Sequence, residues 1–365
     1  ASDVYKRQDS EYLPSGISDV SVVPLTDHDL SDLLASERRL HIFSTVAKLN
    51  APRKTEYVAA VDRLIRSIGF LHIDEAGQIL VFRVLELIRF LAPRHKLRLT
   101  GDTRQLPAFC YSFFGITPMM RYAMSVLKPR LLSTQYRMEP AVAALISHWF
   151  YEGKLKPMVN DVAKQSFHGR SFCVVCWSST RSRWSQDAPY PVEFEAYLAA
   201  QLLKVLDKGR YSSKILTAYK DQLHAIQKHL DDPSRVSTFD SSQGSEFDVG
   251  IISPGRYGPH VGFLDCRRRA CVALSRFCYQ LILFMPADFD LENSLWGRIR
   301  QIATALNCII DIDATHRSTW SSAVQDVVFL IGGEQFFTPE HIAKACAPHH
   351  RFFDQYELVK VGPLD

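Results

Sequence analysis

The sequence predicts an α/β fold built on parallel, doubly wound sheets, and three observations lead to that prediction. The short apolar run at 70–73 is typical of a buried strand, and a second strand is predicted at 96–100. A helical pattern at 79–91 separates them. Polar residues follow the strand ends, which is where ligands of open α/β sheets bind. Because alternating strands and helices favour a parallel sheet, we expect two such domains, on either side of a polar, irregular stretch at 156–170.

The remaining elements follow from apolar spacing along the chain. In the N-terminal part we predict a helix at 30–40, a strand at 40–45 and a helix at 55–67. An apolar helix at 140–151 closes this part. In the second part, strands are predicted at 172–177, 214–217, 234–239, 249–253 and 280–285, and helices at 192–206 and 267–276. The tail contains a strand-like apolar run at 327–331.

Composition limits the class of protein. The 365 residues are 47% hydrophobic and 22% charged, which is typical of a soluble globular chain with room for two domains. A net charge of +4 tilts weakly toward an anionic partner. The eight cysteines show no disulfide framework, so we expect a reducing compartment, cytoplasmic or nuclear. Cys173 and Cys176 form a lone C-x-x-C inside an apolar run, which favours two core thiols over zinc. No apolar run reaches membrane-spanning length, so we expect no membrane partner.

The first residues need separate treatment. Asp3-Val4-Tyr5-Lys6-Arg7-Gln8 is similar to the translation of a transposon adapter used in sequencing libraries. We therefore exclude residues 1–8 from fold reasoning and expect the natural protein to begin further upstream.

Two adjacent carboxylates, Asp74 and Glu75, follow the strand at 70–73. In a metal–nucleotide site the first would hold Mg²⁺ through water, and the second would take a proton from an attacking water. The alternative is a strand that runs into an acidic helix N-terminus, which the helix dipole would also favour.

Two further segments carry candidate phosphate-binding groups. Gly101 and Asp102 end the next strand, and Gln105 has an amide that could orient a water or contact a terminal phosphate. Arg137 precedes the apolar helix at 140–151 and could bind a phosphate through its planar fork. A polar turn and a structural ion pair are the respective alternatives.

These motifs resemble, in order and spacing, those of superfamily-1 helicases of the up-frameshift branch, which includes the nonsense-mediated-decay helicase and senataxin-type proteins. The resemblance covers about 39–296 and rests on the Thr-ending strand at 42–45, Asp74-Glu75-Ala76-Gly77-Gln78, Gly101-Asp102-Thr103-Arg104-Gln105-Leu106-Pro107, Gln135-Tyr136-Arg137-Met138 with its sequel at 150–155, and the segments 239–248, 262–264 and 268–276. It implies two RecA-like P-loop NTPase domains, the first incomplete at 9–155 and the second at 156–308, with an extension of unassigned role at 309–365.

The resemblance also implies a role for each matching residue. ATP and Mg²⁺ would be the cofactors, single-stranded RNA or DNA the partner, and a monomer the working unit. Glu75 would be the catalytic base, Gln105 would position the water or the γ-phosphate, and Arg137 and Arg276 would be arginine fingers. Nucleotide contacts would come from Asp74, Glu75, Gln105, Arg137, Tyr219, Gly244, Glu246 and Arg276, with Asp74 holding Mg²⁺ through water. Nucleic-acid contacts would come from Thr45, Pro107, Thr217 and Ser241.

Three departures from the family pattern qualify these expectations. The sequence contains no Gly-x-x-x-x-Gly-Lys-Ser/Thr phosphate loop, so we expect this chain alone to bind ATP poorly and hydrolyse it hardly at all. Cys271 and Val192 stand where the family usually has Asn. A catalytically inactive nucleic-acid-binding scaffold is the alternative function, and a nucleotide-dependent switch or a helicase domain fused to other domains also stays open. The sequence fits RNA and DNA equally, and the resemblance suggests 5′ to 3′ polarity.

Overall fold

The computed structural model describes Arg66 and residues 69–88, 96–108, 118–158, 169–178, 192–206, 211–257, 262–287, 294–333 and 337–353. They fall into two compact units. The smaller contains the described residues up to Asp74 and from Leu80 to Thr100; the larger contains Glu75–Ile79 and the described residues from Gly101 onward. The domain limits at 156 and 309 stay predictions. The elements predicted at 30–40 and 40–45, with Thr45, lie outside the described residues, as does the helix predicted at 55–67 apart from Arg66, which is helical.

The smaller unit contains two strands and one helix. Strand β1 is Phe70–Ile73, helix α1 is Val81–Ile88 and strand β2 is Lys96–Leu99. β1 and β2 pair in parallel, with Phe70 opposite Lys96. This strand–helix–strand order confirms the alternation predicted for this part of the chain.

A six-stranded sheet dominates the larger unit. Its strands are β5 (Phe172–Ser178), β6 (Ser213–Thr217), β7 (Val236–Thr238), β8 (Phe247–Ile252), β9 (Phe277–Pro286) and β10 (Ile309–Asp313). They lie in the order β10-β5-β9-β8-β6-β7. Every neighbouring pair is parallel. The predicted α/β fold with a parallel sheet is therefore confirmed, as are the strands predicted in this region.

The larger unit also contains helices. They are α2 (Met119–Val126), α3 (Pro140–Phe150), α4 (Glu193–Leu206), α5 (Lys220–Gln227), α6 (Arg267–Leu274), α7 (Leu295–Ala305), α8 (Trp320–Ile331) and α9 (Pro339–Cys346). A short parallel pair joins β3 (Thr134–Gln135) and β4 (Lys156–Pro157). None of the helices described is long and apolar enough to cross a membrane.

Helix α3 has clear start and stop signals. Glu139 caps its N-terminus, because one carboxylate oxygen accepts from the backbone N–H groups of Ala141 and Val142 at 2.9 and 3.2 Å. Pro140 occupies the first turn, where a missing N–H costs nothing. At the other end Gly153 has φ +70° and donates from its N–H to the carbonyl of Ser147. Nearly every α3 side chain is buried, so the helix is fixed along its whole length.

The strand predicted at 327–331 is wrong, because these residues form the end of α8. Ala323, Val327 and Ile331 are the buried side chains of this helix, at a spacing of four residues. Their β-branched character suggested a strand, but packing of one helical face against the core outweighs that weak local preference.

The tail also contributes to the main sheet. β10 pairs in parallel with β5, with Ile310 opposite Val175. Residues from the segment predicted as an extension thus extend the sheet at its edge.

Candidate active site

Two loops that follow strand ends pack backbone against backbone. Glu75 adopts a left-handed conformation, with φ 50° and ψ 38°, at the start of a single helical turn at Ala76–Gln78. A Cβ on Gly101 would lie 2.9 Å from the backbone nitrogen of Gly77, so the close approach requires glycine. A non-glycine residue held at positive φ costs on the order of 1 kcal/mol and often marks a functional site.

The two predicted acids have different surroundings. Asp74 accepts a 2.5 Å hydrogen bond from the hydroxyl of Thr100, at the end of β2. Thr100 in turn lies 3.0 Å from the Nε2 of His72. Glu75 is exposed, and its side chain accepts from the amide of Gln78 at 3.1 Å. Thr100 therefore holds the Asp74 carboxylate in a fixed position, whereas the Glu75 carboxylate faces solvent.

Asp102 is the centre of a hydrogen-bond network that the sequence did not assign. One carboxylate oxygen accepts from the backbone N–H of Arg104 at 2.8 Å. The other accepts from the Gln105 amide at 3.1 Å and from the Tyr151 hydroxyl at 2.5 Å. Asp102 thus connects Gln105 to the C-terminal end of α3.

Arg276 lies buried at the end of the loop that follows α6, with 3% of its surface exposed. Its guanidinium donates to the carbonyl of Val272 at 2.9 Å and to the hydroxyl of Ser275 at 3.0 Å. The nitrogen that donates to Ser275 also donates to the Gln105 side-chain oxygen at 3.4 Å. Burial, and then the nearby positive charge of Arg137, lower the pKa of Arg276. Its hydrogen-bond partners in the described part of the chain are neutral oxygens.

Arg137 forms an ion pair with Glu246 that the sequence did not predict. Its Nε donates to the Glu246 carboxylate at 2.6 Å, and a second guanidinium nitrogen forms a salt bridge with the same oxygen. Its remaining nitrogen donates to the carbonyl of Ser275 at 3.3 Å. Gln105, Arg137 and Ser275 line one cavity of about 260 Å³ together with Tyr136 and Tyr151. The structure therefore brings together four of the predicted nucleotide residues: Gln105, Arg137, Glu246 and Arg276.

The structure also describes the surroundings of the other predicted residues. Arg256 stacks over the ring of Tyr219 with 4.2 Å to the ring centroid, and Gly244 is exposed at φ +79°. Pro107 and Ser241 are exposed, as a nucleic-acid contact requires. The Thr217 hydroxyl is fully buried and makes no hydrogen bond in the described part of the chain, so a contact from this residue would need a movement around it.

The donor set fits a magnesium-bound polyphosphate. The Arg137 guanidinium and the Gln105 amide line the cavity, and Arg276 donates to the Gln105 side-chain oxygen at 3.4 Å, so these donors suit an anionic ligand. No cluster of three or more His, Cys, Asp or Glu side chains suited to a metal occurs among the described residues. Mg²⁺ usually takes one or two carboxylates and keeps water and phosphate as its other ligands.

Comparisons with known proteins identify a related domain family and related proteins. An AAA domain family model (AAA_12) matches residues 116–287. The 5′-3′ DNA helicase ZGRF1 of Mus musculus is 31% identical over 245 residues, which is 60% of this chain and 13% of that protein. The probable helicase senataxin of Homo sapiens is 26% identical over 65% of this chain and 10% of its own length. The regulator of nonsense transcripts 1 homolog of Arabidopsis thaliana is 26% identical over 51% of this chain and 17% of its own length.

A solved structure of the arterivirus nonstructural protein 10 helicase with DNA is 18% identical, with a TM-score of 0.35 over 62% of this chain and 42% of that chain. The family model and the sequence relatives show that the matched part of the chain is similar to helicases. The family model and these relatives support a superfamily-1 helicase of the senataxin and up-frameshift branch over the matched part of the chain, as the motifs predicted. The chain spans only 10% to 17% of the length of the three relatives named above.

Proposed function

We propose that this chain is part of an ATP-dependent helicase core that couples ATP hydrolysis to movement along single-stranded nucleic acid. One observation carries the proposal: Gln105 and Arg137 line the same cavity, and Arg276 donates to Gln105 at 3.4 Å. An amide and two guanidinium groups in one place match the needs of phosphoryl transfer, where positioning and charge stabilisation do most of the catalysis.

Each residue has a role in this proposal. Glu75 accepts the proton of the attacking water, and its exposed carboxylate is open to solvent. Gln105 orients that water, while Arg137 and Arg276 stabilise the negative charge that grows on the transferred phosphate. Asp74 holds Mg²⁺ through water, and the metal supplies positive charge to the phosphate oxygens when bound. Tyr219, Gly244 and Glu246 contact the nucleotide.

Arg276 is suited to its role by burial. Its guanidinium stays charged at neutral pH, because the pKa of arginine lies far above that range. Since water is excluded around it, its interaction with a phosphate is stronger than at an exposed site.

Nucleic-acid contacts are proposed for Pro107 and Ser241, which are exposed, and for Thr45 and Thr217. Such contacts to sugar and phosphate give little sequence preference. We infer 5′ to 3′ movement from the family resemblance and from the relative described as a 5′-3′ DNA helicase. A surface that contacts sugar and phosphate can bind RNA or DNA, so a panel of RNA and DNA oligonucleotides is the suitable substrate. We propose a monomeric motor in the cytoplasm or nucleus.

The sequence has no phosphate-loop motif, and such a loop supplies the lysine and hydroxyl that bind the β- and γ-phosphates and Mg²⁺. We therefore propose that this chain of 365 residues hydrolyses ATP weakly on its own. We propose the activity for a full-length protein with a phosphate loop, and the experiments on hydrolysis use such a protein.

The test is Glu75→Gln in the full-length protein. We expect nucleic-acid-stimulated ATP turnover to fall by about 10²- to 10⁴-fold, the usual contribution of a general base, while ATP still binds. Turnover is measured by phosphate release and binding with a fluorescent ATP analogue. Glu193→Gln is the matched control, because Glu193 is an exposed carboxylate at the start of α4.

Near-normal hydrolysis by Glu75→Gln would remove Glu75 from the role of base. A full-length wild-type protein that binds single-stranded nucleic acid but hydrolyses no ATP would instead favour the scaffold.

A further inference from the structure

Tyr151 lies in the site but has no role in the mechanism above. It follows α3 directly and is buried, with 9% of its surface exposed. Its hydroxyl donates to the Asp102 carboxylate at 2.5 Å, across 49 residues of sequence. A buried hydroxyl aimed at a carboxylate forms one of the stronger protein hydrogen bonds.

The same Asp102 carboxylate also accepts a hydrogen bond from Gln105. The Gln105 amide nitrogen donates to Asp102 at 3.1 Å, and its oxygen accepts from Arg276 at 3.4 Å. The two bonds fix which end of the amide faces which neighbour. The orientation of Gln105 therefore depends on the position of the Asp102 carboxylate.

Arg104 fastens the same loop to the end of α3. Its guanidinium donates to the carbonyl of Phe150 at 2.7 Å and to the carboxylate of Glu152 at 2.6 Å. It also lies 5.3 Å from the centroid of the Tyr151 ring. Arg104 thus packs over the ring of Tyr151, so the Tyr151 hydroxyl has little freedom to leave Asp102.

The other side of Tyr151 contacts the helix that leads to Arg276. Its hydroxyl lies 3.6 Å from the sulfur of Cys271 on α6. Burial raises the pKa of the Cys271 thiol to about 12, so it stays neutral. Burial, followed by Cys271 and Asp102, raises the pKa of Tyr151 well above its ordinary value. The tyrosine hydroxyl therefore remains a donor throughout the pH range in which the protein works.

We propose that Tyr151 is a positioning residue for ATP hydrolysis, which fixes Asp102 so that Gln105 presents its amide to Arg276 and to the reacting phosphate. The inference rests on the proposed function of this site. It also gives α3 a role, because this helix connects Arg137, just before its first turn, to Tyr151 at its end. A helix of 11 residues spans about 16 Å as a rigid rod.

The test is Tyr151→Phe in the full-length protein, which removes one oxygen and keeps the ring under Arg104. We expect kcat to fall about 10- to 100-fold with KM for ATP nearly unchanged, because a misplaced Gln105 weakens binding of the transition state more than of ATP.

Tyr257→Phe is the matched control. Tyr257 is also buried, and its hydroxyl donates to the Glu195 carboxylate at the same distance of 2.5 Å, away from the Asp102 network. We expect Tyr257→Phe to lower stability and leave kcat unchanged. A kcat loss confined to Tyr151→Phe separates positioning from a general loss of packing.

A double-mutant cycle with Asp102→Asn supplies the second readout. Because Tyr151 acts through the Asp102 carboxylate, Tyr151→Phe should cost less kcat when residue 102 is already Asn. Fully additive losses would overturn the inference. If Tyr151→Phe does not fold, Asp102→Asn alone tests the link, and an unchanged kcat in that variant would overturn it as well.

The outcomes also separate this inference from the proposed function. Wild-type hydrolysis that Glu75→Gln abolishes but Tyr151→Phe leaves intact would remove Tyr151 and retain the helicase core. A wild-type protein without ATP hydrolysis would overturn both.

Discussion

Two buried ionisable groups of this protein, Glu195 and Arg276, have different partners for their charged forms. Glu195, on α4, is fully buried and accepts from the hydroxyl of Ser253 at 2.8 Å, the hydroxyl of Tyr257 at 2.5 Å and the N–H of Gly255 at 3.2 Å. Burial nevertheless raises its pKa from 4.5 to about 7, because desolvation of the charged form outweighs these donors. In the proposed mechanism, by contrast, the Arg276 guanidinium pairs with the negative charge of the substrate phosphate.

The raised pKa of Glu195 predicts a pH-dependent stability. The folded state holds the Glu195 proton more tightly than the unfolded state, so the contribution of this group to the unfolding free energy is complete below pH 4.5 and is lost as pH rises to about 7. The loss is on the order of 3 kcal/mol. In urea unfolding at pH 5 and pH 7.5, Glu195→Gln should lose less stability across this interval than wild type.

Glu193→Gln, on the same helix but exposed, should retain the wild-type pH dependence. A Glu195→Gln variant that follows the wild-type curve would show that Glu195 does not titrate in this interval.

The residues that sequence could identify are those that lie in short local motifs. Gln105, Arg137 and Arg276 were assigned in this way, and they occur around one site. Asp102 and Tyr151 lie within the motifs named above, but the sequence assigns neither a role, because the hydrogen bond between them joins positions 49 residues apart. The pairing of Arg137 with Glu246 spans 109 residues. Hydrogen bonds of this kind follow from the fold, and local spacing carries no signal for them.

At the scale of single elements, α8 shows where local preference misleads. The run at 327–331 is Val-Val-Phe-Leu-Ile, whose β-branched and aromatic side chains fit a strand. In a strand, Val327, Phe329 and Ile331 would share one face. In α8, Val327 and Ile331 are buried, whereas Phe329 is 80% exposed. Counting apolar positions back to Ala323 would have revealed the helical spacing.

The two arrangements predict different outcomes for two substitutions in α8. Val327→Ala should lower the unfolding free energy by about 1–3 kcal/mol, because it leaves a cavity against the core. Phe329→Ala should change it by less than about 0.5 kcal/mol, as exposed positions usually do. Urea unfolding of the two variants checks this. Equal losses at 327 and 329 would contradict the helix and favour a strand.

At the scale of the whole molecule, the main sheet uses residues that are far apart in sequence. The order β10-β5-β9-β8-β6-β7 places the first and last of its strands in the chain next to each other at one edge. The strands with continuous apolar runs were predicted, because the centre of a parallel sheet is buried on both faces. β10 was missed although Ile310 and Ile312 alternate with two aspartates, which is the pattern of a half-exposed edge strand.

Membership of β10 in the sheet predicts unequal effects of two neighbouring substitutions. Ile310 is 2% exposed, so Ile310→Asp would bury an unpaired carboxylate and should lower the unfolding free energy by about 3 kcal/mol or more. Asp311 points to solvent, and Asp311→Asn should change the unfolding free energy by less than about 0.5 kcal/mol. Urea unfolding followed by tryptophan fluorescence measures both, since Trp177 on β5 lies opposite Ile312. Because β10 covers the edge of β5, we also expect Ile310→Asp to aggregate as it unfolds. An unfolding midpoint equal to that of wild type would mean that 309–313 does not contribute to the stability of this sheet.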